Sequence, residues 1–357
     1  MWTLSVMLSK MLLVRFVMIL FGITAFVITL DIVTYAEDIL TLHNDDLSAI
    51  GTYALLRLPG IMSAFMGLSV LLAALMMLTE ISHHSELVAI WNAGVSQFRI
   101  IAMLLPFALV FGLANFTLNN NAVPSVAPTL HTWGIGDYSE KKLKVGENDP
   151  IWMRSGNDVL RAVESNQKAT SLRDVIIFRR DSEGILIEQI MAQTAELVGG
   201  RWDLEGVAIY YRDNVPPSRV ARLIYSGLMR PAAIGARSGD PEEMSVSDLG
   251  YFIENAGFGI RPIHVYTTWL HKRYTLILSG VLMLLIAVPL AGRHRRGGGL
   301  GKLFAVGIGL GFAYFVFDGI SITMGELGLL PSWMAAWLPM LVFALTAGTI
   351  AFRHETL

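Results

Sequence analysis

Residues 11–30 read MLLVRFVMILFGITAFVITL, and within them Arg15 is the one charged side chain. An α-helix needs about 20 mostly apolar residues to cross the ~30 Å hydrocarbon core of a bilayer. This stretch therefore predicts a membrane-spanning helix. It continues into Asp31 without a small-residue cleavage pattern, so we expect a retained helix and not a signal peptide.

Five more stretches of the same kind follow along the chain. They cover residues 58–78, 100–118, 274–291, 303–317 and 327–352. The composition agrees with them, because 16% of the residues are charged where a soluble domain has about 25%. We predict an α-helical integral membrane protein with six transmembrane helices, three before a long central segment and three after it.

The basic residues of the short loops predict the orientation of these helices. One set falls on a single side of the predicted membrane: Lys10, Arg15, Arg99, Arg293, Arg295, Arg296, Lys302 and Arg353. The opposite short loops hold Arg57, while Lys272 and Arg273 begin the fourth span on that opposite side against the trend. We expect both termini to be cytoplasmic and the central segment to lie outside.

The central segment, residues 122–262, has a different character. Charges are frequent, apolar residues alternate with polar ones, and turn residues separate the runs, which is typical of β-strands. The strand-like runs are residues 158–163, 174–179, 184–193, 202–204 and 207–211, with turns at 181–184 and 199–200. The predicted domains are therefore residues 1–121 with the first three spans, 122–262 as a β-rich insertion, and 263–357 with the last three.

Several function classes find no support in the residues. The net charge of -2 and the lack of a long basic run argue against nucleic acid as a partner. The chain has no cysteine, hence no disulfide and no Cys-ligated zinc. The Gly-rich turn before the fifth span fails the G-x-x-x-x-G-K-[ST] phosphate spacing, because Arg296 and Leu303 occupy its first and last positions. No arrangement of titratable residues marks catalysis, so we expect a non-enzymatic chain without metal or cofactor.

A short amphipathic helix is predicted between the second and third spans. Ser85 can cap it and Glu86 lies in its first turn. Its apolar face, at helical spacing, consists of Leu87, Ile90, Trp91, Gly94, Val95 and Phe98. Such a helix either rests on lipid headgroups or docks on a soluble partner. The neighbouring His83 and His84 lack the His-Glu-x-x-His spacing of a zinc site.

Two acidic residues fall inside or at the end of predicted spans. An ionisable residue in a membrane helix is a functional candidate by default. Asp31 and Asp318 nevertheless lie near the outer ends of their helices, so structural placement and function are both open. The Gly307-x-Gly309-x-Gly311 stretch contains one Gly-x-x-x-Gly spacing, which favours close helix packing within the protein over a dimer seam.

The motifs in these segments resemble those of the LptF/LptG lipopolysaccharide export permeases, and most closely its G-type members. The resemblance covers nearly the whole chain and rests on residues 85–96 (SELVAIWNAGVS), 172–204, 244–258 and 329–339, with residues 31–37 and the Ala-Trp-Leu-Pro ending closest to the G type. The implied fold adds a periplasmic β-jellyroll-like domain to the six helices. The alternatives are an F-type sibling of the same transporter and, from a different class, a secondary transporter, which should show inverted repeats.

The resemblance also implies partners and sites. The partners would be an F-type permease (LptF), an LptB ATPase dimer that binds ATP and Mg²⁺, LptC, and lipopolysaccharide in the bacterial inner membrane. The residues that would couple to the ATPase are Glu86, Leu87, Ile90, Trp91 and Gly94. The first and fifth spans would form the lipid cavity and its gates through Phe26, Leu30, Asp31, Phe312, Phe315 and Asp318. Relatives can carry a lysine near Asp31 that meets a lipid phosphate, and an acid departs from that pattern.

Overall fold

The computed structural model describes residues 2–83, 86, 90, 93–140, 151–164, 170–212, 216–227, 240–254, 261–292 and 300–355. The chain divides into two compact units. The helical unit comprises Met1–Gly136 and Thr267–Leu357, and the β unit comprises Asp137–Tyr266.

Six long apolar helices confirm the predicted membrane-protein fold. In chain order the described helices are α1 (Trp2–Leu42), α2 (Ser48–His83), α3 (Gln97–Thr117), α4 (Val123–Trp133), α5 (Asp137–Glu140), α6 (Val246–Glu254), α7 (Ile263–Gly292), α8 (Leu300–Glu326) and α9 (Ser332–Glu355). A π-helical turn, Leu118–Ala122, joins α3 to α4, and the two helices count as one span of 37 residues. The spans are long because most of them continue past their apolar windows into polar sequence.

Two boundaries differ from the sequence prediction. Helix α4 occupies the beginning of the segment predicted to be β-rich from residue 122, because the polar turn before it continues the helix as a π-turn instead of ending it. The sixth span begins at Ser332 and not at Leu327. Gly328 has a φ of 72°, which ends α8, and proline at position 331 cannot continue a helix from the residues before it.

The helices of the first unit share one apolar core. Helix α1 contributes a narrow stripe at every fourth residue, consisting of Leu8, Leu12, Phe16 and Leu20. The Phe16 ring stacks on Phe111 of α3, with centroids 4.2 Å apart. Many of the other apolar side chains of α1 are exposed, which is typical of a helix whose outer face meets lipid.

Glycines permit the closest helix crossing. A Cβ added at Gly112 of α3 would overlap the Ile277 carbonyl oxygen of α7, and one added at Gly280 of α7 would overlap the Ala108 carbonyl oxygen of α3. The two helices therefore meet backbone to backbone, as small residues allow in membranes. Gly307 and Gly311 of α8 face leucines of α2 in the same way, so this Gly-x-x-x-Gly spacing serves packing within the chain.

The described strands of the second unit form one antiparallel sheet in the order of the sequence. They are β1 (Ile151–Ser155), β2 (Asp158–Glu164), β3 (Ser171–Arg180), β4 (Leu186–Val198), β5 (Arg201–Tyr211) and β6 (Ser218–Tyr225). Turns at 181–184 and 199–200 connect neighbours, as predicted. Each described strand pairs with the next one along the chain, as short hairpin connections favour, so the predicted β-rich domain contains a separate antiparallel sheet. The strands β1 and β6 were missed.

The sheet is strongly curled. The Tyr225 hydroxyl of β6 donates a hydrogen bond to Asp158 of β2 at 2.8 Å, although β6 and β2 are separated by three strands in the sheet. In a flat sheet four strand spacings of about 4.8 Å would separate them by roughly 19 Å, which is beyond the reach of these two side chains. The curled sheet encloses its own apolar core around Trp202, as a domain without disulfides requires.

We predict that Gly112→Ala destabilises the helical unit. The added methyl group must displace backbone, and such overpacking typically costs about 1–3 kcal/mol. The matched control is Gly309→Ala, because a Cβ there meets nothing within 4 Å. Thermal unfolding in detergent should show a lower Tm for Gly112→Ala and an unchanged or higher Tm for the control. Equal Tm values for the two variants would contradict the close crossing of α3 and α7.

Candidate functional site

Among the described residues of the helical unit, three ion pairs join neighbouring helices. They are Arg15 with Glu80, Arg57 with Asp31, and Lys272 with Asp318. The first two pairs lie on the same antiparallel hairpin of α1 and α2. They bracket charge-free stretches, residues 16–30 and 58–79. At a rise of 1.5 Å per residue, the paired residues themselves are about 24 Å apart along α1 and about 35 Å apart along α2. These lengths bracket the ~30 Å hydrocarbon core, so the pairs mark its two boundaries.

Asp31 lies in a polar and aromatic cluster at one of these boundaries. Its carboxylate accepts hydrogen bonds from Arg57 Nε at 2.7 Å and from the Tyr53 hydroxyl at 3.1 Å. The side chains of Asp31 and Arg57 are 13% and 15% exposed. The Trp133 ring of α4 stacks on Tyr53 and contacts the His43 ring, whose centroid is 4.2 Å away. Asp31 is therefore a paired acid, and its basic partner comes from α2.

Asp318 has an equivalent environment between α7 and α8. Lys272 Nζ donates to both carboxylate oxygens at 2.6 Å. The side chains of Lys272 and Asp318 are 14% and 15% exposed. Sequence reasoning recorded Lys272 only as an exception to the basic-residue asymmetry and did not find its partner, because pairing depends on which helices are neighbours. The pattern that could have revealed this pair is a lysine at the end of one predicted span, Lys272, together with an acid near the same side of another, Asp318.

A buried polar network adjoins this pair and was not predicted. The Arg273 side chain of α7, 1% exposed, donates to the Asn119 amide oxygen at 2.8 Å. The Asn119 nitrogen donates to Asn115 and to Ser63 of α2. Asn119 lies in the π-turn between α3 and α4, and such turns often occur at functional sites. The network ties α2, α3 and α7 together beside the pairs of Asp31 and Asp318.

The predicted gate positions are exposed apolar side chains. Phe26 and Leu30 of α1 and Phe312 and Phe315 of α8 are 51% to 66% exposed. Both α1 and α8 pack against α2, so the two predicted gate segments flank the same helix. Each segment is followed along its helix by one of the paired acids, which places a broad apolar surface directly beside a charged boundary.

The predicted docking segment is described in part. Glu86 is helical and exposed, and Ile90 is helical, half-buried and packed against the core, whereas Leu87 and Trp91 lie outside the described residues. Gly94 has a φ of 78°, and the Val95 N–H donates to the Ile90 carbonyl at 3.3 Å. This is the Schellman ending of a helix, in which glycine supplies the left-handed residue. Gly94 therefore lies at the end of the segment.

Charged groups outside the spans have ordinary structural roles. In the turn before α2, hydrogen bonds from the Ser48 hydroxyl and backbone N–H hold the pKa of Asp46 below its usual value. In the β unit, the hydrogen bond from Arg222 to Asp203 raises the pKa of the Arg222 guanidinium. Within the described residues, no group of three His, Asp or Glu side chains is placed to hold a metal ion.

Comparisons with known proteins agree on one family. A sequence model described as "Lipopolysaccharide export system permease LptF/LptG" matches residues 7–353. The chain is also similar to a protein of Haemophilus influenzae (strain ATCC 51907 / DSM 11121 / KW20 / Rd) named "Lipopolysaccharide export system permease protein LptG", with 24% identity over 298 residues, 81% of each chain. The family match includes all six spans and the β unit.

We predict that the Lys272–Asp318 pair behaves as a desolvated pair. Replacing one member, in Asp318→Asn or Lys272→Met, leaves a charge without its partner and should cost up to about 3–5 kcal/mol, whereas the double variant Lys272→Met/Asp318→Leu should recover most of this loss. The control is the pair of Arg222 and Asp203, whose arginine is 64% exposed. Neutralising Arg222 should leave the Tm nearly unchanged. Additive losses in the double variant would show that the pair is not coupled.

Proposed function

Because the chain belongs to the LptF/LptG family of lipopolysaccharide export system permeases, we propose that it is the G-type permease subunit of that transporter. The observation that carries this proposal is the full-length match, with six spans and an inserted β unit, together with a relative that is itself named LptG. The remaining candidate is the F-type sibling, which shares the family and the architecture.

The physical cost of the task supports a separate energy source. Lipid anchoring gains about 0.8 kcal/mol for each buried CH₂, so removing a single ~12-carbon acyl chain from the bilayer costs on the order of 10 kcal/mol. The chain offers no phosphate-binding loop of its own. We therefore assign ATP and Mg²⁺ to a partner LptB dimer and place the permease, with LptF and LptC, in the inner membrane. Both termini would be cytoplasmic and the β unit periplasmic.

The segment that begins near Glu86 is the proposed docking site for the ATPase. The exposed Glu86 follows the last residue of α2, whereas Asp31 is paired with Arg57 in the first half of that helix. Ile90 anchors the segment on the core of the helical unit. The Schellman ending at Gly94 turns the chain sharply into α3. A segment that is exposed at Glu86 and anchored at Ile90 is suited to receive force from a soluble partner.

The proposed lipid path follows the exposed apolar surfaces of α1 and α8. Acyl chains would contact Phe26, Leu30, Phe312 and Phe315, because these apolar side chains are exposed on the surfaces of membrane-spanning helices. The phosphorylated headgroup would lie at the charged boundary beside them. There Arg57 and Lys272 are neutralised by Asp31 and Asp318, and a phosphate can replace a carboxylate on an arginine with the same bidentate geometry. The acids would thus hold the bases in place until lipid arrives.

The docking proposal predicts that Glu86→Lys separates the permease from its ATPase. Removing one member of a charge pair in a partly desolvated interface costs roughly 2–5 kcal/mol, whereas an acid on a helix resting on headgroups contributes about 0.3–1 kcal/mol. Affinity purification of the wild-type permease should recover an ATPase and an F-type permease, identified by mass spectrometry, and Glu86→Lys should recover the F-type permease alone. The control is Glu183→Lys, the same charge change in an exposed hairpin of the β unit.

Two results would contradict this assignment. Full retention of the ATPase by Glu86→Lys would return the segment to a helix that rests on the membrane surface. Recovery of a G-type permease as the partner would identify this chain as the F-type sibling.

The lipid-path proposal predicts which positions contact lipopolysaccharide. A photoreactive phenylalanine analogue at Phe26 or Phe312 should form adducts with lipopolysaccharide during turnover. The same analogue at Leu345 of α9, which is 70% exposed, should form far fewer, because general exposure to lipid does not place a residue on the path. The adducts are detected on gels with an antibody against lipopolysaccharide. Equal yields at Leu345 would remove α1 and α8 from the gate.

A further inference from the structure

An ion pair near the cytoplasmic end of the α1–α2 hairpin has no role in the scheme above. Arg15 Nη2 of α1 bonds to the Glu80 carboxylate of α2, and Arg15 Nη1 donates to the Met11 carbonyl at 2.9 Å. The Arg15 side chain is 11% exposed, while that of Glu80 is 46% exposed. The arginine is thus held between the helices, and the carboxylate lies at the rim.

The pair joins the first half of α1 to the last turn of α2. Glu80 lies three residues before His83, the last residue of α2, and six residues before Glu86 in the sequence. Arg15 immediately precedes the charge-free stretch that leads to Phe26 and Leu30 on the continuous helix α1. The pair therefore connects the helix end nearest the proposed docking segment to the helix that carries the proposed gate.

Hydrophobic burial alone gains little when these two helices associate. Lipid tails are as apolar as the helix surfaces, so van der Waals packing and polar contacts between the helices decide how they align in a membrane. A charge pair is more selective, because each member favours an opposite charge over lipid, and buried polar pairs are best known for specifying register. The pair of Asp31 and Arg57 fixes the opposite end of the hairpin, and the Arg15–Glu80 pair fixes this end.

We propose that Arg15 and Glu80 are positioning residues that transmit the motion of the docking segment to the gate helix α1. Displacement of the docking segment moves the adjoining end of α2, and the ion pair moves α1 with it. Since α1 is one helix from Trp2 to Leu42, a shift at Arg15 is carried to Phe26 and Leu30. This inference rests on the proposed function, because it needs an ATPase at one end and a lipid gate at the other.

The test measures coupling rather than activity alone. Arg15→Gln and Glu80→Gln are purified with their partner subunits in lipid vesicles, and both ATP hydrolysis and lipopolysaccharide release are measured. We expect the ATPase to remain bound and active, while lipopolysaccharide released per ATP falls about five-fold or more, the lower range of typical coupling between sites. The charge-swapped variant Arg15→Glu/Glu80→Arg should restore the ratio to within about two-fold of wild type. Lys10→Gln, which removes an exposed cation five residues away on α1, should leave the ratio unchanged.

The outcomes separate three cases. A wild-type permease that recovers no ATPase or releases no lipopolysaccharide would overturn the proposed function itself. A working wild type with an unchanged ratio in both single variants, or a charge swap no better than the single variants, would overturn the transmission role alone. If the glutamine variants fail to accumulate, Arg15→Lys retains the charge with a different geometry. An intermediate ratio in Arg15→Lys supports transmission, and a wild-type ratio overturns it.

Discussion

The helical unit depends on one constraint, which is that a charge on a helix in hydrocarbon needs a partner on a neighbouring helix. An unpaired Arg, Lys or Asp at the centre of a membrane helix costs about 2.5–3.5 kcal/mol on insertion scales. The three cross-helix pairs and the amide shell of Arg273 meet this requirement. Each partnership also decides which helices are neighbours, since apolar contact with lipid or with another helix is nearly equivalent.

The β unit is governed by a different solvent. Without disulfides it must bury its own apolar face, and a meander of hairpins does so by curling. The hydrogen bond between Tyr225 and Asp158 spans the curl, and Trp202 fills the interior. The same chain thus uses two rules: charges paired between apolar helices, and an apolar core enclosed by a curled sheet.

Patterns local in sequence predicted most of the fold, and contacts distant in sequence explain what they missed. Apolar runs are local, and all six spans were found; so were the turns at 181–184 and 199–200. The extension through Leu118–Ala122 was missed because LNNNA is polar, and its side chains are satisfied by Ser63 and Arg273, which are remote in the chain. The partners of Asp31 and Asp318 were missed for the same reason. The left-handed conformation of Gly94 was not predicted, because helical spacing does not reveal a positive φ.

The pairs that hold the helices together also suit the permease to mechanical work. Extraction of an acyl chain costs on the order of 10 kcal/mol, so a device that transmits this work must not slip along the smooth interface between apolar helices. A hairpin pinned at two points about 24 Å apart along α1 resists sliding while it can still rock as a unit. The pinning charges lie at the membrane boundaries, where partial hydration lets them exchange partners. The Arg15–Glu80 pair lies near the proposed docking segment and the Asp31–Arg57 pair lies beside the proposed gate surface, so the constraint that permits charges in these helices also places them where the proposed function would need coupling and lipid recognition.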